Sequence, residues 1–357
     1  MAAPVIEADA VVIGAGPVGL FQVFQLGLHE VQAHVIDALP YAGGQCMELY
    51  ADKPIYDIPG TPVTTGRGLT QSLLQQIAPF QAQMHFSQLV ESVNRLDDGR
   101  LCLVTDAGTT FITKALIVAA GVGAFVPRKP AIPALEAFEG RQVHYLHDRA
   151  LADGSFADSH VVVLGGDESA VVAALEAAQP SGNARGPASV TLIHRRDVFA
   201  GEPDTLQLLE SARAAGKVRV LAAQVTGCVT ASDQLKALQV LTAEGTETSV
   251  TADHVLVRLG MSPKMGPIAE WGWTLERKQV PVNTENFQSE IPGIFAVGDI
   301  NFYPGKRKLI LSGFHEATLA AFGAMAFISP EKKVHLQYTT TSPRLHQLLG
   351  VGTQEKS

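Results

Sequence analysis

Three glycines, Gly14, Gly16 and Gly19, stand in the spacing G-x-G-x-x-G, and Asp37 follows the first of them by 23 residues. That combination suits the holding of a dinucleotide. The first glycine permits a tight turn, the second lets backbone approach a pyrophosphate, and the third lets a helix pack on a strand. The helix N-terminus then faces the phosphates. A carboxylate at the end of the next strand can accept from ribose hydroxyls. A second constellation lies downstream, where Gly298-Asp299 closes the apolar run Ile294 to Val297. There the aspartate can hydrogen-bond the polar part of a bound group. A third, Gly165-Gly166-Asp167-Glu168-Ser169-Ala170, is an imperfect glycine turn. Asp167 stands at the second glycine position, where a side chain hinders a pyrophosphate and a carboxylate repels it. His194-Arg195-Arg196 partly compensates, because guanidiniums at that strand end suit a 2′-phosphate. The bland readings are a structural turn, a Gly-Asp turn and a solvated basic strand end.

Chemistry of this kind needs elements that repeat, and one pattern occurs twice. DAVVIGAGPVGLFQVFQLGL, from Asp9, precedes AHVID ending at Asp37; HVVVLGGDESAVVAALEAA, from His160, precedes SVTLIHRRD ending at Asp197. Each is a β-branched run, a glycine turn, an amphipathic helix and a second β-branched run, which is a βαβ unit. A strand-rich stretch with hairpin signals, such as Asp98-Gly99 and Ala107-Gly108, follows each. The expected fold is therefore α/β, with two Rossmann-like three-layer ββα dinucleotide-binding domains. GAFVPRKPAIP, from Gly123, reads as a linker, and a second crossing is expected near Gly260 to Gly266. Residues 1–122 and 262–357 then form one discontinuous domain, with residues 123–261 inserted as the other.

The chain has 357 residues, 46% hydrophobic and 17% charged, which suits sizeable globular cores. A net charge of −8 does not favour nucleic acid or an anionic membrane. No uninterrupted apolar run reaches the roughly 18 residues of a membrane span, and no signal peptide is evident. Cys46, Cys102 and Cys228 are too scattered for a disulfide scaffold or a zinc site. A cytoplasmic, metal-free protein is expected.

Ile294 to Asp299 resembles the second FAD fingerprint of two-dinucleotide flavoproteins, so FAD is expected at the first turn and NADPH, or else NADH, at the second. With GGQCMELYADKPIYDIPG, GAFVPRKP, HRRD, IFAVGD and YPGKRKLILSGFHEATLAA in order, nearly the whole chain resembles a ferredoxin–NADP reductase of the thioredoxin-reductase-like type. The resemblance implies that Gln45 hydrogen-bonds FAD and that Tyr50 stacks on one flavin face. It places Val90 and Phe125 along the adenine and ring regions and gives Asp299 the fingerprint role. It also implies that a C-terminal extension covers the opposite face, often from the partner subunit of a homodimer. That assigns Tyr338 to stacking and Thr340 to the neighbourhood of flavin N5.

The implied reaction is hydride transfer from NADPH to N5, then single-electron transfer to ferredoxin or flavodoxin. Three departures from the family pattern stand out: Asp167 for glycine, Glu168 for the usual aspartate, and Ala200 where related enzymes place an arginine. Two rival readings remain. A disulfide reductase would use Cys46, yet the position five residues on is Ala51 and no C-x-x-C exists. An FAD-binding regulatory module would explain Asp167. Lys306-Arg307-Lys308 is normally a solvated charge run and could dock an acidic partner.

Overall fold

The computed structural model describes residues 5–145, 156–179, 185–332 and 338–351. β1 (Val5–Ile13) is buried on both faces from Ala10 to Ile13, as a central parallel strand requires. α1 (Pro17–Leu28) starts on Pro17, whose missing N–H is not needed in a first turn, and returns the chain to β2 (Ala33–Ile36). α2 (Gln45–Tyr50) and a short hairpin of β3 (Pro54–Ile55) and β4 (Thr64–Thr65) precede α3 (Gly66–Ile77). The Thr65 hydroxyl caps α3, accepting the Gly68 N–H at 3.0 Å. β5 (Gln83–His85) pairs in parallel with β2. The meander β6 (Val90–Arg95), β7 (Leu101–Thr105) and β8 (Thr110–Val118) then brings β8 back parallel to β1, with Val11 opposite Leu116. β9 (Ala124–Pro127) leaves this sheet.

The inserted unit contains β10 (Val143–His144), β11 (His160–Leu164), α4 (Glu168–Ala177), β12 (Ser189–His194), α5 (Pro203–Ala214), β13 (Arg219–Ala231), β14 (Gln234–Thr242), β15 (Glu247–Thr251) and β16 (His254–Val257). Its sheet runs β10-β16-β11-β12-β13-β14-β15. β17 (Met261–Lys264) leads back and pairs with β9. There follow β18 (Val280–Pro281), β19 (Ile294–Ala296), β20 (Asn301–Phe302), α6 (Ile310–Ile328) and α7 (Pro343–Leu348). β8 is shared along its length. Leu101 to Val104 pair with its first half, and Ile294 to Ala296 pair in parallel with Leu116 to Val118. The last quarter of the chain thereby rejoins the first sheet.

Two compact units result, one ending at Phe125 and resuming at Pro263, the other Val126 to Ser262. Gly123 to Phe125, placed by sequence in the inserted unit, stay with the first. A Cβ on Gly123 would lie 2.2 Å from the Lys264 carbonyl oxygen, so backbone is packed on backbone there. Each unit has helices on one sheet face and a meander on the other. In the first, Ala10 and Val12 face α1 and α6, while Val11 and Ile13 face Leu101, Leu103 and Phe111. In the second, Val161 and Val163 pack with Leu192 and Leu209, and Val162 and Leu164 with Leu235 and Leu238.

α6, at 19 residues, is long and apolar enough to cross a bilayer by length and composition alone. A count of uninterrupted apolar runs does not find it. Its apolarity has a local cause: Ala317, Ala320, Ala321 and Ala324 are fully buried in the core shared with α1.

Candidate functional site

Gly14 takes φ +104°, and its N–H donates to the Ile36 carbonyl at 2.8 Å. A Cβ there would lie 2.4 Å from the Ala119 carbonyl oxygen, and one on Gly19 would lie 1.8 Å from the Gly14 oxygen. Strand, turn and helix are thus packed backbone on backbone. Gly16 differs, because a Cβ there would meet nothing within 4 Å. The turn faces open space at that one residue, which is the room a pyrophosphate needs at the start of α1.

Asp37 has a role that sequence spacing alone does not supply. Its carboxylate accepts the Ala15 N–H at 2.6 Å and the Leu39 N–H at 2.8 Å, clamping the glycine turn to the end of β2. Burial pushes its carboxyl above the ordinary range, and the two N–H bonds oppose that. Donors from a ribose diol would offset the same desolvation.

A cleft of about 180 Å³ opens from this turn. Gly14, Gly16, Asp37, Gln45, Tyr50, Val90, Phe125 and Asp299 all line it, as does the start of α6 at Leu309 and Ile310. Open space at Gly16, a buried acid at one end and Gly298-Asp299 beyond fit an extended dinucleotide in a mostly apolar trough. The Cys46 thiol, also on the wall, is buried and donates to the Tyr50 oxygen at 3.4 Å. Burial raises the pKa of that thiol. Burial and the thiol beside it also push the Tyr50 phenol up, so the ring faces the cleft neutral. All three cysteines are free.

Behind Gly298-Asp299 lies a buried polar cluster that sequence reading missed. Glu316, fully buried on α6, accepts from the Gly298 N–H at 2.7 Å, Asn301 at 2.8 Å, the Tyr303 hydroxyl at 2.9 Å and the Lys306 ammonium. Lys306 also donates to the Gly298 carbonyl at 2.9 Å. Its side chain is only 5% exposed, which removes it from the solvated charge run expected at residues 306–308. Arg307 and Lys308 remain exposed. A glutamate within the stripe Gly313, Ala317, Ala320, Ala324 was the available signal, since a charge on a buried helix face requires a partner.

Tyr338 and Thr340 are not brought to this cleft. Both are exposed, ahead of α7, whose Leu345 and Leu348 line one small gap with Leu28 and Phe80 and whose Arg344 pairs with Glu30 at 3.6 Å. That is the C-terminal end of α1, about 18 Å along the helix from Gly16. Neither side chain covers the cleft of its own chain. Residues 333–337 lie outside the described residues.

In the second unit, Gly165 and Gly166 are also held by close approach. A Cβ would lie 2.1 Å from the Arg258 carbonyl oxygen at the first and 2.5 Å from the His194 ring at the second. Asp167 is the N-cap of α4: its carboxylate accepts the Ala170 N–H at 3.1 Å and the Ser169 hydroxyl at 2.7 Å. Glu168 accepts the Glu202 N–H at 3.2 Å and the Thr205 hydroxyl at 3.3 Å, tying α4 to the start of α5. Arg195 and Arg196 are exposed at the end of β12, in no ion pair among the described residues, whereas Asp197 pairs with Arg213 at 2.8 Å. The Ala200 N–H donates to the Gly166 carbonyl at 2.9 Å, so the position of the missing arginine borders the turn. No cluster of three or more metal-ligating side chains occurs among the described residues.

A family model described as pyridine nucleotide-disulphide oxidoreductase matches residues 8–321. The ferredoxin–NADP reductase of Methylibium petroleiphilum is 53% identical over 348 residues, 98% of this chain and 94% of that protein. That of Albidiferax ferrireducens is 55% identical over 346 residues, covering 97% and 96%. Among solved structures, thioredoxin reductase from Gloeobacter violaceus has a TM-score of 0.56 at 22% identity, covering 93% of this chain and 98% of its own. Thioredoxin reductase from Lactococcus lactis gives 0.53 at 24% identity, covering 90% and 99%. These two share the fold.

Proposed function

We propose, because the chain belongs to the pyridine nucleotide-disulphide oxidoreductases and among them to the ferredoxin–NADP reductases, that FAD occupies the cleft of the first unit and NADPH the glycine turn of the second. The chain is a ferredoxin–NADP reductase, an oxidoreductase with the thioredoxin-reductase-like fold. The finer reading rests on one observation: the cleft gathers the open face of Gly16, Asp37, Gln45, Tyr50 and Asp299 around a single free thiol.

FAD, when bound, supplies the chemistry by accepting a hydride and releasing electrons singly. The protein's own part is to bind and orient. Backbone at Gly14 to Gly16 and the start of α1 receive the pyrophosphate, and Asp37 takes ribose hydroxyls. Tyr50 presents a neutral ring, and Glu316 fixes the backbone on which Asp299 stands. Arg195 and Arg196 receive the 2′-phosphate of NADPH. The electron acceptor is a ferredoxin or flavodoxin. Tyr338 and Thr340, exposed and away from their own cleft, serve the cleft of a second copy in a homodimer.

Acid release of the chromophore from purified protein tests the cofactor reading. FAD at one per chain, bleached by NADPH and more slowly by NADH, is expected. Colourless protein that takes up no FAD would overturn it.

A further inference from the structure

We propose that Asp167 sets how tightly this enzyme holds any nicotinamide dinucleotide, by filling the anion-receiving end of α4 with its own carboxylate. The proposal rests on the reading of the inserted unit as the coenzyme site. A helix N-terminus attracts phosphate because its first N–H groups lack partners. At α4, a helix of 10 residues, one carboxylate oxygen of Asp167 already takes the Ala170 N–H and the Ser169 hydroxyl. The other oxygen faces Gly260, just past β16; a Cβ built on that glycine would stand 3.8 Å from it. The charge therefore lies at the carboxyl ends of β11 and β16, the crevice where open α/β sheets receive ligands. No ion pair to Asp167 occurs among the described residues to neutralise it.

A pyrophosphate arriving here must displace the carboxylate from its donors or lie beside a like charge. Either cost falls equally on NADP and NAD, which share the pyrophosphate. Discrimination between them falls elsewhere, on Arg195 and Arg196 at the end of β12, where only the 2′-phosphate reaches. Overall affinity and coenzyme preference are thus set by separate residues in this chain.

The test is direct binding rather than turnover. Kd values of NADP+ and NAD+ are measured by calorimetry on the FAD-loaded enzyme, with melting temperatures alongside. Asp167→Asn keeps an N-cap of equal quality and volume but removes the charge. It is expected to lower both Kd values about tenfold, the order of one charge contact near a protein surface, with their ratio and the melting temperature unchanged. Asp167→Gly should tighten both nucleotides as well, while the lost cap lowers the melting temperature. Arg196→Ala should weaken NADP+ and leave NAD+ alone. Asp167→Asn with both Kd values unchanged, or with only one nucleotide tightened, would overturn the proposal while the coenzyme site stands. Wild type and variants that bind neither nucleotide would overturn both.

Discussion

Glu316 shows how much of a site can depend on a residue that touches no ligand. Removing it leaves the Lys306 ammonium buried beside the Gly298 carbonyl with no counter-charge, and frees the Gly298 N–H. Breaking a buried pair from one side costs about 3–5 kcal/mol. Glu316→Ala should lose that much in urea unfolding and lose FAD on gel filtration, whereas Glu316→Leu with Lys306→Met should recover much of the stability. Cys46 is the opposite case, a conspicuous residue for which the proposed reaction has no use. Its thiol is buried, with a raised pKa and no second thiol to pair with. Cys46→Ala should retain NADPH-dependent electron transfer, and a thiol reagent should label the wild type no faster after NADPH is added. At this scale the glycine turn of Gly14, Gly16 and Gly19 was legible because its geometry is local, whereas the clamp that Asp37 makes on that turn was not. Lys306 was not, because whether a lysine is solvated depends on what a distant helix places against it.

The elements explain why the glycines tolerate nothing else. With 1.8 Å available between a Cβ at Gly19 and the Gly14 oxygen, α1 can accept alanine there only by lifting off β1. Gly19→Ala is therefore expected to abolish FAD retention and to cost more stability than Gly16→Ala, whose Cβ enters open space but blocks the pyrophosphate. Calorimetric unfolding of both, with and without added FAD, checks the contrast. The βαβ repeats, their meanders and the apolar run of β19 were visible as periodicities. That β19 pairs with the far half of β8 was not, because a parallel pairing across so long a separation leaves no local trace. The course of the tail was hidden for a similar reason. The apolar side chains of α7 say that it docks, and only the fold shows that it docks at the far end of α1.

Among the described residues of both units, four histidines carry a common sign. His29, His34, His85 and His254 all have pKa values lowered, first by burial. Lys332 adds to this at His29, His34 at His85, and His144 at His254, where Asp253 opposes it. His34 Nδ1 and His85 Nε2 meet at 3.0 Å between the stacked rings, so one proton can be shared but charging both rings sets two donors and two like charges face to face. Unfolded, these imidazoles titrate near 6.5. Between the folded values and that point the unfolded chain binds more protons, so stability rises with pH. Stability is accordingly present above about pH 6.5 and lost as pH falls through the folded values. Urea midpoints at pH 7.5 should exceed those at pH 5.5, and His85→Phe should flatten the difference.

Whether electrons leave this molecule singly for a protein acceptor, and not through a thiol, is decided by reduction of cytochrome c with NADPH as donor. Reduction is expected only when ferredoxin or flavodoxin is added, at the same rate in wild type and Cys46→Ala. Reduction of a disulfide substrate that Cys46→Ala abolishes, with no response to either acceptor, would contradict it.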